Sequence, residues 1–163
     1  MQHLIKYFFT ILLFTHYSTN AISADSSSSS VHKLISNGQA PEGVVFEIVS
    51  GNTQYLNWAM PEAEKLSRQL RNKYPSLDIA IVTHGWEQFS LTKKQLSRNT
   101  SLKKSIKTLI KTDVQIHVCG THAEYNGVTA EEFSELIDVA AAGPSQINDY
   151  IKLGYIKIKI NKE

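Results

Sequence analysis

The chain has 163 residues, 17 basic against 15 acidic side chains, and a single cysteine. Charge this close to balance gives no reason to expect a polyanionic partner such as nucleic acid, and one thiol excludes an intrachain disulfide framework. The length suits one domain with a core of useful size behind a short leader.

Residues 1–24 carry Lys6, an apolar stretch from Tyr7 to Phe14, and polar residues ending at Asn20-Ala21 and Ser23-Ala24. This is the layout of a secretory signal peptide cleaved after Ala21 or Ala24, with a membrane anchor as the alternative. The expected location is the periplasm or the medium, free of the membrane after cleavage. In an oxidising space a lone thiol is either protected or reacts with something outside its own chain. Residues 25–43 follow as a serine-rich tether and N-terminal segment, because Ser26 to Ser30 offer little to bury.

Val44-Val45-Phe46-Glu47-Ile48-Val49 predicts a largely buried strand that ends at Ser50-Gly51-Asn52. Leu56, Met60, Ala63, Leu66 and Leu70 then recur at helical spacing, with acids early and Arg68, Arg71 and Lys73 late. Pro61 fits a first turn best, which predicts a regular helix from Met60 after an irregular approach. Leu77 to Val82 predicts a second strand leading into Thr83-His84-Gly85, and Trp86 to Thr100 reads as a polar loop with one helical turn.

A helix over Leu102 to Lys111 precedes a third strand, Val114 to Val118, which delivers Cys119. Thr129 with Glu132 forms a capping box for a short helix. Val139 to Ala142 is a short apolar stretch stopped by Gly143, Pro144 opens the last helix, and Tyr155 to Ile160 alternates as a half-exposed strand. Strands alternating with helices imply parallel pairing through right-handed crossovers: an α/β three-layer sandwich on a mostly parallel five-stranded sheet. Its functional rim is the carboxyl edge, where Gly51-Asn52, His84-Gly85 and Cys119-Gly120 fall. No segment has the glycine spacing of a dinucleotide fingerprint or a phosphate loop, so no such cofactor is expected.

Lys93, Lys94, Arg98, Lys103, Lys104, Lys107 and Lys111 occupy one segment without an acid. It reads either as a solvated helix face, or as a docking face for an acidic protein or an electropositive surround for an anion. Asn99-Thr100-Ser101 also matches a glycosylation sequon.

The stretch VQIHVCGTHAEYNGVTAEEFSELIDVAAAGPSQINDYIKLGYIKI resembles the DsrE/DsrF-like family of small sulfur-handling proteins. It carries a strand ending in Val-Cys, the Gly127-Val128 step, Gly143 closing a short apolar strand, and a final helix leading to Gly154-Tyr155. The His84-Gly85 pair matches as well, and the likeness runs from Val44 to Ile160 within a domain spanning 44–163.

The resemblance implies that Cys119 is the family's cysteine, which in relay members accepts sulfane sulfur as a persulfide and passes it on. The chain would then be a sulfur carrier or sulfurtransferase, with a donor or acceptor protein or a small sulfur compound as partner. A carrier needs a thiolate and an accessible sulfur, and the amides from Cys119 to Ala123 would help if they converge as a nest. The bland alternative is an inert cysteine buried at a strand end.

The resemblance puts His84 near the site. His122, three residues after the cysteine, is either a site member or incidental; each ring has the chemistry to shift the thiol or take its proton. His117 points to the same face as Cys119, and serves equally as a bonded core histidine. A second functional reading is a Cu(I) or Zn(II) site of Cys119, His84 and His122, completed for zinc by water, Glu87 or Glu124. A third is a noncatalytic binding subunit. The resemblance further implies homo-oligomers, trimeric or hexameric, or hetero-oligomers of related chains. Tyr55, Trp58, Trp86, Phe89 and Tyr125 in irregular segments offer interface area, with Trp86 and Phe89 alternatively sheltering the thiol or plugging the sheet edge.

Overall fold

The computed structural model describes residues 26–162, so the leader reading of 1–24 lies outside the described residues. A five-stranded sheet is formed by β1 (Gly43–Ile48), β2 (Asp78–Thr83), β3 (Val114–Cys119), β4 (Asp138–Ala140) and β5 (Tyr155–Lys159). Its spatial order is β4-β3-β2-β1-β5, with every pairing parallel. Ile48 lies opposite Thr83, Thr83 opposite Val118, and Cys119 opposite Ala140, so the carboxyl ends of four strands form one rim.

Among the described residues six α-helices accompany the strands: α1 (Ser27–Ser36), α2 (Leu56–Lys73), α3 (Lys93–Arg98), α4 (Thr100–Lys111), α5 (Gly120–Tyr125) and α6 (Gly143–Lys152). From β1 through β4 the chain steps outward in one direction, and right-handed crossovers put α2 and α4 on one face. The return from β4 to β5 reverses direction and sends α6 to the other face. The first face carries the main core, where Val44, Phe46, Ile48, Ile81, Ile116 and Val118 meet Leu66, Leu70, Ile106 and Leu109. The second has a smaller cluster of Val45, Ala80, Val82, Ile147 and Tyr150.

Four local readings change. The serine run is helical rather than a tether: Ser26 caps α1 by accepting from the Ser29 N–H at 3.2 Å, and Val31 and Leu34 are buried. An i, i+3 apolar pair with a cap lets the polar turn ride on a packed one. Helix α2 begins at Leu56, ahead of Pro61, because Leu56, Ala59 and Met60 are all fully buried. Their burial offsets the missing Pro61 N–H, and the carbonyl it orphans belongs to Asn57, an exposed residue. The polar segment after His84 is ordered as a 3-10 helix, Trp86–Leu91, followed by α3. Conversely, the capping box at Thr129 is closed, yet it starts only a single 3-10 turn, Ala130–Glu132. Among the described residues no helix is long and apolar enough to cross a membrane.

Candidate functional site

The rim is built around the turn that follows β2. A Cβ on Gly85 would lie 2.7 Å from the Ser50 nitrogen, so only glycine lets the ends of β1 and β2 close together. The Trp86 N–H then donates to the Ser50 carbonyl at 2.8 Å. Glu87, fully buried, accepts from the Thr83 hydroxyl at 2.5 Å, the Gly85 N–H at 2.8 Å and the Ser50 N–H at 2.6 Å. A carboxylate removed from water is tolerable only with donors converging on it like this. It is therefore occupied in holding the turn and is not a free metal ligand.

Gln88, the next residue and equally buried, reaches across to β3. Its Oε1 accepts from the Cys119 N–H at 2.8 Å, which fixes the orientation of the amide. Its Nε2 then faces the Cys119 carbonyl at 3.4 Å and Nδ1 of His122 at 3.1 Å. One side chain thus clamps the backbone of the cysteine and orients a neighbouring imidazole. Since that amide nitrogen is a donor, His122 Nδ1 is the acceptor, and the neutral ring carries its proton on Nε2.

His122 itself lies on α5, which follows directly on Cys119. Its ring packs against Trp86 and Phe89, with centroids 5.9 and 5.4 Å away. Trp86 and Phe89 also meet edge to face at 5.6 Å, so the two aromatics cover the His122 ring while Trp86 stays half exposed.

His84 approaches from the other side. A Cβ on Gly143 would come within 2.6 Å of the His84 Cβ and 3.3 Å of the Cys119 Cβ, so the glycine at the start of α6 lets the two residues share one corner. The Nε2 of His84 meets Glu47 Oε1 at 3.1 Å, and Lys157 approaches Glu47 Oε2 at 3.3 Å. Burial acts to raise the Glu47 pKa, but the hydrogen bonds from His84 and Lys157 outweigh it and hold the carboxyl below its usual range. Glu47 and Gln88 are the residues that sequence reasoning missed, and Glu87 entered it only as a possible zinc ligand; Glu47 left a signal, as a lone acid inside an apolar strand.

Cys119 is only 5 % exposed, against the expectation of a solvent-accessible thiol. Among the described residues no hydrogen bond reaches its sulfur; His84 is turned to Glu47 and His122 to Gln88. Nor is there, among those residues, any group of three or more histidine, cysteine or carboxylate side chains arranged to hold a metal. The Cu(I) or Zn(II) reading of Cys119, His84 and His122 fails for that reason, and Glu87 is committed elsewhere. His117, on the Cys119 side of β3, donates from Nε2 to the Tyr150 hydroxyl at 2.8 Å, which in turn donates to Gln115 Oε1 at 2.8 Å. Burial holds its pKa below the ordinary value, with Asp138 acting weakly the other way. It is a satisfied core histidine beneath α6.

A family model described as the DsrE/DsrF-like family matches residues 44–160. Three solved structures share the fold. Protein MTH1491 of unknown function from Methanobacterium thermoautotrophicum is 19% identical, with a TM-score of 0.58 over 71% of this chain and 96% of that one. Conserved protein BT1422 of unknown function from Bacteroides thetaiotaomicron is 18% identical, with a TM-score of 0.50 over 73% and 95%. The ychN protein from E. coli is 11% identical, with a TM-score of 0.51 over 72% and 97%. No curated protein matches the chain.

Proposed function

Because the chain belongs to the DsrE/DsrF-like family, and so to proteins of a general sulfur-relay-like function, we propose that it carries sulfane sulfur as a persulfide on Cys119. The observation that carries the reading is the corner at Gly143, where His84 packs beside Cys119 with Glu47 behind its ring. With Nε2–H donated to Glu47, Nδ1 of His84 keeps its lone pair and is the nitrogen available to take the thiol proton.

The transfer balances without an outside oxidant. The Cys119 thiolate attacks the terminal sulfur of a donor persulfide; a new sulfur–sulfur bond forms on Cys119, the donor's sulfur–sulfur bond breaks, and the donor thiolate leaves with the electron pair. The proton held at His84 neutralises that leaving thiolate. A buried thiol favours a small sulfur compound over a bulky protein-borne persulfide as donor. The reading extends to an exported, oligomeric protein: the leader-like composition of residues 1–24 supports export, and exposed Trp86, Tyr125 and Leu153 supply contact area between copies.

Intact mass of the reduced protein after polysulfide treatment tests the carrier role. It shows a sulfur adduct in the wild type and none in Cys119→Ser. The burial of Cys119, with no hydrogen bond on its sulfur among the described residues, favours a second reading, a noncatalytic binding subunit. That reading gives no adduct on a folded protein, together with a stable oligomer by light scattering.

A further inference from the structure

A cavity of about 730 Å³ opens between α3, the 3-10 helix before it, the turn at Thr53-Gln54 and the segment from Val128 to Glu132. Its size is that of a site for a small organic molecule. Its walls are cross-tied rather than loosely apposed. The Ser90 hydroxyl donates to the Thr53 carbonyl, the Asn99 amide donates to Asn57 Oδ1 at 2.7 Å, and Thr92 forms an isolated antiparallel bridge with Phe133. The Ser134 N–H adds a bond to the Leu91 carbonyl at 3.1 Å. A space held open this way needs little ordering when a ligand enters.

The polar groups of the lining sort by type. Three of the acceptors are already engaged: the Thr53 carbonyl by Ser90, Gln54 Oε1 by the Asn57 amide at 2.7 Å, and Asn99 Oδ1 by the Leu102 N–H at 3.0 Å. Two carboxylates stand on the opposite wall, and both are tied to their own turn. Glu132 accepts from the Thr129 N–H at 2.9 Å, and Glu131 is hydrogen-bonded to its own backbone and to the Thr129 side chain. The unpaired charges are cationic. Among the described residues Lys94 and Arg98 have no ion pair and the Gln95 side-chain amide has no partner, while Lys93 approaches the exposed Glu135 at 3.8 Å and interacts with the Glu131 carboxylate. Phe89 and Val128 contribute apolar surface beside these cations.

We propose that this cavity is a binding site for a small organic anion, its acidic group held by Lys94, Arg98 and the Gln95 amide and its apolar body laid on Phe89 and Val128. The arrangement gives part of the acid-free basic segment a use that solvation does not explain: Lys93, Lys94 and Arg98 face the cavity, whereas Lys103, Lys104, Lys107 and Lys111 on α4 do not line it. Phe89 also packs on His122, so the anion site shares a wall with the Cys119 corner without including the thiol.

Amide NMR titration of the whole protein with naphthalenesulfonate tests the assignment. Shifts concentrate at Thr53, Gln54, the 89–99 segment and the 128–132 segment, and the uncharged naphthalenesulfonamide produces none of comparable size. Lys94→Gln combined with Arg98→Gln weakens binding about tenfold or more, the loss expected from removing two charge-assisted contacts. Lys103→Gln with Lys104→Gln leaves it unchanged, and dispersed spectra confirm that each variant folds. Cys119→Ser binds the probe as the wild type does, so the site stands or falls separately from sulfur carriage. No shifts at the highest soluble probe concentration, equal binding of the sulfonamide, or undiminished binding by the Lys94 and Arg98 double variant would overturn the proposal.

Discussion

The two faces of the sheet differ in what covers them and therefore in what they can do. The face beneath α2 and α4 is apolar and closed; Val44, Phe46, Ile48 and Ile81 are at most marginally accessible, and their partners are other apolar side chains. The opposite face is covered by α6, and its strand positions alternate between small apolar residues and groups that carry chemistry. Glu47, His117 and Cys119 all project there, and Lys157 of β5 closes on Glu47. A doubly covered sheet buys its stability on one face, which frees the other to hold polar groups that need hydrogen bonds and room.

Substitutions that exchange the character of the faces separate them most sharply. On the closed face, Phe46→Ala removes a fully buried ring and costs roughly 3–5 kcal/mol in urea unfolding, while sulfur loading per folded molecule is retained. At the rim, Glu87→Leu leaves the Thr83 hydroxyl and the Gly85 and Ser50 N–H groups without their acceptor. That variant loses about 3 kcal/mol, and the rate of thiol alkylation at Cys119 changes with it because the Gln88 clamp loses its support. Gly143→Ala is a smaller structural insult, about 1–3 kcal/mol, but its methyl group must displace His84 or Cys119; slower persulfide loading with a cooperative unfolding transition is the expected signature.

The smallest effect comes from His117. Its folded pKa lies below the ordinary value of 6.5, so as pH falls the unfolded chain takes up the proton first. The contribution is complete above about 6.5 and is lost below it, until the folded pKa is reached, at no more than about 1.4 kcal/mol per pH unit. Urea unfolding on either side of that pH shows the loss in the wild type. His117→Gln, which keeps a donor for Tyr150, flattens this part of the profile.

The closed face was legible because its information is local. Consecutive apolar residues in β1 and the helical spacing of Leu66 and Leu70 report burial whatever they pack against. Cys119 and His84 were legible for a similar reason, since glycines follow both at strand ends and mark the rim. Glu87 and Gln88 were not. They sit in a polar stretch that reads as solvated, and only the closure of β1 on β2 and the approach of β3 turn them into a buried clamp. The burial of the thiol was hidden for the same reason, because Gly143 and His84, both distant in sequence, close on the Cys119 corner. The serine run of α1 and the proline in α2 show the converse: tertiary burial of Val31, Leu34, Leu56 and Met60 overrides weak local preference.

Sulfur carriage on Cys119, on the face beneath α6, is open to a direct test. Its most direct test is the sulfane sulfur retained after the reduced protein is loaded with polysulfide, freed of excess reagent and treated with cyanide. About one thiocyanate per folded wild-type chain and none from Cys119→Ser is the expected result. No thiocyanate from the wild type, or the same yield from both proteins, would contradict it.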